Sequence, residues 1–181
     1  MLNRVEIIDE VSGFYRVIAL NMFRRTPGVF FDNIPTKAFS RIDAIDRVIH
    51  MSNASSPGPV GSIERPWYMH PHQEDNLIVL SGTRFVELYD RKTRTIKQFT
   101  VTPELIKKED RIIFDGAGML CWPMAVFHRV ISPESGSTAL NFAVHHEGID
   151  VRTNFNIYDV DIKTGAFRVV REAHLDQQKS E

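Results

Sequence analysis

Tyr68-Met69-His70-Pro71-His72-Gln73-Glu74-Asp75, continued by the apolar run Leu77-Ile78-Val79-Leu80 and closed by Ser81-Gly82, is the stretch whose reading decides the fold. Read as a strand, its two-residue side-chain period puts His70 and His72 on one face with Tyr68 beside them, so both imidazoles can share a ligand. Counting back seven from Gly82 reaches the carboxylate of Asp75. Farther along, Pro123-Met124-Ala125-Val126-Phe127-His128 opens another predicted strand, with His128 flanked on its inward face by Val126 and Val130. Chance alone gives about 0.3 His-x-His pairs at this histidine content. The surrounding residues therefore have to carry the argument.

Outward from this stretch, short apolar runs alternate with turn chemistry, the pattern of an all-β sandwich or barrel. The predicted strands are Asp46–Met51, Trp67–His72, Asn76–Ser81, Thr83–Tyr89, Thr95–Val101, Arg111–Asp115, Met119–Trp122, Val126–Ile131, Thr138–His145, Phe155–Val160 and Phe167–Val170. Turns fall at Ser81-Gly82, Asp90-Arg91-Lys92, Asp115 to Gly118, Ser132 to Gly136 and Lys163-Thr164-Gly165. Residues 53–61, rich in Ser, Pro and Gly, form a loop. Short helices are expected over Thr102–Lys108, where Pro103 follows a Thr N-cap, and over Thr36–Arg47, where Ala38, Ile42 and Ile45 recur among Asp and Arg. Residues 1–45 are expected to be an N-terminal extension that packs on the barrel or swaps between barrels, 46–170 the barrel, and 171–181 a polar tail that frays from Gln177.

The composition excludes several functions. The chain has 181 residues, enough for one domain with its own core, and a formal net charge of −1, which argues against a broad electrostatic grip on nucleic acid or anionic lipid. Cys121 is the single cysteine, so disulfide frameworks and multi-cysteine metal sites are out, and it is expected to be buried and inert. Charges at Arg4, Glu6, Asp9 and Glu10 break any leader-like apolar run, and no stretch approaches the roughly 18 apolar residues of a membrane span. A cytoplasmic, soluble protein is expected. Neither a phosphate-binding glycine loop nor a nucleophile elbow occurs.

Taken together, the two histidine segments resemble the two-motif signature of the cupin superfamily. Nearest to the first motif stand His70, His72, Asp75 and Gly82, and nearest to the second Gly116 or Gly118, Pro123, Ala125, His128 and Ser132. Asp75 stands where the family has glutamate, and Glu64, Ala125 and Ser132 replace two glycines and an asparagine of its pattern. The resemblance covers roughly residues 46–145 and implies a double-stranded β-helix, that is, a jelly-roll or RmlC-like barrel with an N-terminal extension and a few short helices. It also implies one divalent metal ion per chain (Fe, Mn, Ni or Zn) held by His70, His72, Asp75 and His128.

Three histidines and a carboxylate suit such an ion and leave positions open for water or substrate. Without metal, the same histidines would be polar groups lining the barrel. Glu74, on the parity of His70 and His72, is the substitute carboxylate, followed by Asn76. Tyr68, as substrate-positioning group or proton donor, and His50, at the pocket mouth, are the candidate catalytic side chains, set against ordinary roles in packing. His145, His146 and His174 are expected at the surface.

The function that the resemblance implies is a metal-binding enzyme with dioxygenase-like or isomerase-like chemistry on a small polar metabolite. One alternative is the metal-free sugar epimerase and ketoisomerase branch of the superfamily, with His70 as base; another is a non-catalytic ligand-binding barrel. A small-molecule ligand and a homodimer, built by pairing Val5–Ile8 and Phe14–Leu20 with a partner, complete the expectation.

Overall fold

The computed structural model describes residues 4–176 of the chain. The expected fraying from Gln177 onward lies outside the described residues. In chain order the elements begin with β1 (Ile7–Val11), β2 (Tyr15–Ala19), β3 (Asn21–Thr26), β4 (Val29–Asn33), β5 (Ala44–His50), β6 (Ser55–Ser56), β7 (Trp67–Met69) and β8 (Gln73–Gly82). They continue with β9 (Arg84–Asp90), β10 (Thr95–Val101), β11 (Leu105–Lys108), β12 (Arg111–Asp115), β13 (Gly118–Trp122), β14 (Phe127–Ile131), β15 (Ser137–His145), α1 (Val151–Asn154), β16 (Ile157–Val160) and β17 (Phe167–Arg171).

Two antiparallel sheets face each other. One has six strands in the order β1-β2-β13-β8-β15-β5; the other runs β12-β11-β10-β9-β14-β7-β16-β17, with β6 paired to β14. This is the expected all-β, RmlC-like jelly-roll barrel. The core between the sheets holds Val17, Leu77, Val79, Leu120 and Trp122 from the first and Val86, Leu88, Phe99 and Val130 from the second. Along β9 the burial alternates: Arg84, Val86 and Leu88 point in while Phe85 is exposed.

The first sheet is covered on its outer face too. Ile18, Ile78, Met119, Cys121 and Phe142 pack there under Leu20, Ile34, Ala38 and Phe39, and Phe39 stacks on Phe142 at 5.6 Å. A strand buried on both faces reads as a continuous apolar run. That is why Leu77–Val79 and Met119–Trp122 lack alternation.

Residues 7–19 enter this sheet as β1 and β2, with Leu120 opposite Val17. Both expected helices are corrected. Residues 105–108 are strand β11, which places fully buried Ile106 in the core opposite Val101. Two turns of helix are marginal in water, and pairing with β10 satisfies the same backbone groups. Of 36–47, only Thr36–Ala38 forms a single 3-10 turn, and β5 begins at Ala44.

Candidate active site

A cavity of about 310 Å³ opens between the two sheets, lined among others by Tyr68, His70, Asp75, Arg84, Trp122 and His128. Tyr68 and His128 come from one sheet, with His70 just past the end of β7, while His50 on β5 and Asp75 on β8 come from the other. Tyr68 on β7 stands directly opposite His128 on β14, and His70 follows one residue after β7 ends. Asp75 lies on β8, paired with Trp122 of β13.

His70 is oriented from its far side. Its Nδ1 donates to the backbone carbonyl of Asn154 at 2.7 Å. A carbonyl only accepts, so Nδ1 carries a proton, and in the neutral ring Nε2 keeps its lone pair. That Nε2 lies 3.5 Å from Asp75 Oδ2. The other carboxylate oxygen, Asp75 Oδ1, accepts from Gln73 Nε2 at 2.8 Å and from Asn141 Nδ2 at 2.7 Å. Oδ2 is buried with no hydrogen-bond partner.

His128 Nδ1 is 3.3 Å from the carbonyl of Val126, so its Nε2 is also an acceptor. Ligating atoms of His70, Asp75 and His128 all lie within 4.8 Å of one another. Burial, reinforced by the neighbouring His70, lowers the His128 pKa to about 4, which leaves it neutral near pH 7. Three buried acceptors thus converge without a donor among them, an arrangement that invites a cation or a transferred proton.

The two candidate catalytic side chains both line this cavity. The Tyr68 ring lies 6.1 Å from that of His70 and 6.0 Å from that of His128. Burial, more than the charge of Asp176, raises its pKa, so the phenol stays protonated. His50 Nδ1 is 3.1 Å from Ser132 Oγ; burial and then Arg84 lower its pKa to about 4.

His72 is placed elsewhere, which corrects the shared-face reading. β7 ends at Met69 and the chain bends at Pro71-His72 before β8 starts in the other sheet. The two-residue period holds only within one strand, so the bend turns His72 away. Its ring packs on Gly148, so closely that a Cβ on that glycine would meet Cε1 at 3.1 Å. The same bend reverses the parity of the carboxylates: Asp75 faces the cavity, while Glu74 points out and bonds His146 Nε2 at 2.7 Å. Cys121 is buried, and burial pushes its thiol up to about 12, so it is no nucleophile at neutral pH.

Sequence reasoning missed Asn154, Gln73, Asn141 and Arg84. Arg84 was detectable, because it shares the inward parity of Val86 and Leu88 on β9. Asn154, fully buried at the end of the single-turn helix α1, carried no local signal.

No family model matches the chain, and no curated protein matches it either. Solved structures do. A dTDP-4-dehydrorhamnose 3,5-epimerase from Sulfolobus tokodaii superposes with TM-score 0.58 at 15% identity, covering 80% of this chain and 77% of that one. A 3,5-epimerase from Legionella pneumophila, in complex with dTDP-4-keto-L-rhamnose, gives 0.58 at 11% identity over 79% of this chain and 73% of that one. A sugar 3,4-ketoisomerase from Thermoanaerobacterium thermosaccharolyticum, in complex with TDP, gives 0.53 at 14% identity over 77% and 85%. At such identities the likeness is one of fold: the chain has an RmlC-like jelly-roll barrel.

Proposed function

We propose that the chain is a small-molecule isomerase or epimerase that moves a proton at a carbon beside a carbonyl, in a polar, sugar-like substrate held in the barrel cavity. The observation that carries this reading is the His70 and Asp75 pair. Asn154 holds the His70 ring so that its unprotonated Nε2 lines the cavity, with Asp75 Oδ2 3.5 Å away. His70 takes the proton from the carbon, the bonding electrons pass to the carbonyl oxygen, and Asp75 faces the imidazolium that results. Tyr68, still protonated and beside His70, donates to that oxygen. Return of a proton to either face of the carbon, or to its neighbour, completes epimerisation or ketoisomerisation. Structural neighbours described as 3,5-epimerases and 3,4-ketoisomerases support the reaction class.

The test is proton NMR in deuterium oxide with a dTDP-linked 4-keto sugar and simple hydroxy-ketones. Deuterium should enter the substrate with the wild-type protein and not with His70→Ala. No incorporation into any of these compounds, with chelated and with metal-supplemented protein alike, overturns the reading.

A second reading is favoured by His128, which turns the pair into a two-histidine, one-carboxylate set. The residues fit a divalent cation: the buried, partnerless Asp75 Oδ2 faces two imidazole acceptors, and amides fix the other oxygen. His70, Asp75 and His128 would hold the ion, and imidazole with carboxylate suits Zn, Fe, Ni or Mn. When bound, it would supply Lewis acidity toward a substrate oxygen. Incorporation that survives chelation supports the metal-free reaction. Incorporation lost on chelation and restored by one ion, with that ion near one equivalent per chain, supports the metal-dependent one.

A further inference from the structure

Arg84 is the strongest unexplained group in the molecule. It is only 3% exposed, and it lines the cavity. Its Nε donates to Ser137 Oγ at 3.0 Å and its Nη2 to the carbonyl of Val48 at 3.1 Å. Nη1 bonds no described residue, and among the described residues no carboxylate lies within ion-pair distance of the guanidinium. A buried charge with only neutral partners is costly, and a guanidinium does not shed its proton at neutral pH.

The acids of the cavity are tied to an amide and not to Arg84. Asn141 Nδ2 links Asp46 Oδ2 at 3.2 Å to Asp75 Oδ1 at 2.7 Å, whereas Arg84 belongs to a neutral chain of hydrogen bonds. Ser137 Oγ is 2.8 Å from Ser132 Oγ, which is 3.1 Å from His50 Nδ1. The cavity is therefore polarised, with acceptors around His70 and Asp75 and one uncompensated positive charge beside His50.

We propose that Arg84 is an anion subsite: the ligand of this cavity carries a carboxylate or phosphate group that pairs with the guanidinium while its remainder reaches the His70 and Asp75 end. The inference rests on the cavity being the ligand site, and not on which chemistry occurs there. Such an anion accepts from Nη1 and neutralises the buried charge, a pairing that a planar guanidinium makes well with either oxyanion. Selectivity follows from the same cost: a neutral analogue leaves the guanidinium unpaired.

The experiment is thermal unfolding and calorimetric titration of the full chain with glycerate, inorganic phosphate, and glycerol as the neutral control, at matched ionic strength. Glycerate or phosphate should raise the Tm and bind, and glycerol should not. Whichever anion binds identifies the oxyanion class, and either one supports the subsite. Arg84→Met should weaken that binding on the order of thirtyfold or more while leaving the ligand-free Tm unchanged or higher, since an unpaired buried charge is removed. A merely structural arginine gives the reverse, a lower Tm and no anion effect to lose. Arg84→Lys keeps the charge and should retain part of the affinity. His70→Ala should lose isotope exchange yet keep anion binding, so failure of the reaction and failure of the subsite are separable. Wild-type protein indifferent to both anions overturns the proposal.

Discussion

The backbone carbonyl of Asn154 accepts the Nδ1 proton of His70 at 2.7 Å, and this single bond decides which nitrogen of the ring is the free base. Asn154 also acts through its side chain. Its Oδ1 accepts from the His72 backbone N–H at 3.2 Å and its Nδ2 donates to Gln73 Oε1 at 3.3 Å, while Gln73 in turn holds Asp75. One buried residue thus sets the direction of a base and of its carboxylate.

Asn154→Ala separates the two roles. The carbonyl remains, so the His70 tautomer should persist in nitrogen-15 NMR of the imidazole. The side-chain bonds are lost, leaving buried partners unpaired, and stability should fall by about 1–3 kcal/mol in urea unfolding. A shift of the His70 tautomer in this variant would show that the side chain, and not the carbonyl, sets it.

Asn141→Ala removes one of the two amide donors to Asp75 Oδ1. Loss of such a supporting bond typically costs on the order of 10–100-fold in metal affinity or activity. That loss should appear in isotope exchange or in cation titration, whichever the protein performs. Wild-type values in both would mean that Gln73 alone fixes the carboxylate.

His72→Ala and His70→Ala should behave oppositely. His72 stands outside the convergent group, so its removal should change exchange or cation binding by no more than about twofold, as for substitutions away from special features. His70→Ala should abolish both. Equal losses from the two variants would restore the shared-face arrangement read from the His-x-His spacing.

Acid should destabilise the metal-free protein through His128. Its folded pKa of about 4 lies below the ordinary value of 6.5, so the unfolded chain binds the proton first. The contribution is fully present above pH 6.5 and is lost as pH falls toward 4, by about 3 kcal/mol in all. His50, lowered for the same reason, adds a change of the same sign. Urea unfolding across this range should show a flatter acid limb for His128→Leu than for wild type, and parallel limbs would rule His128 out as the source.

Gly148→Ala tests the seat of His72. Gly148 has φ +86, and a Cβ there would lie 3.1 Å from His72 Cε1. Backbone strain and contact together should lower stability by about 1–2 kcal/mol with little effect on ligand binding in the cavity. A change in binding larger than the change in stability would tie His72 to the site after all.

Local residue patterns were enough to specify the barrel. Alternating and doubly buried apolar runs, with Gly, Pro and Asp at the turns, are short-range signals, and apart from β11 the strands from β7 to β17 lie close to where those signals put them. Pairing His70 with Asp75 and His128 was also legible, because motif spacing records which strands carry them. The remaining features exist only in the folded chain. A bend at Pro71 moves the chain from one sheet to the other, which resets side-chain parity, sends His72 and Glu74 outward and turns Asp75 in. Residues 105–108 became a strand because β10 offered an edge to pair with and the core a place for Ile106. Asn154 and Arg84 matter through what they touch across 84 and 53 positions of chain. No periodicity of a few residues encodes contacts at that separation, since they arise only when the sheets close on each other.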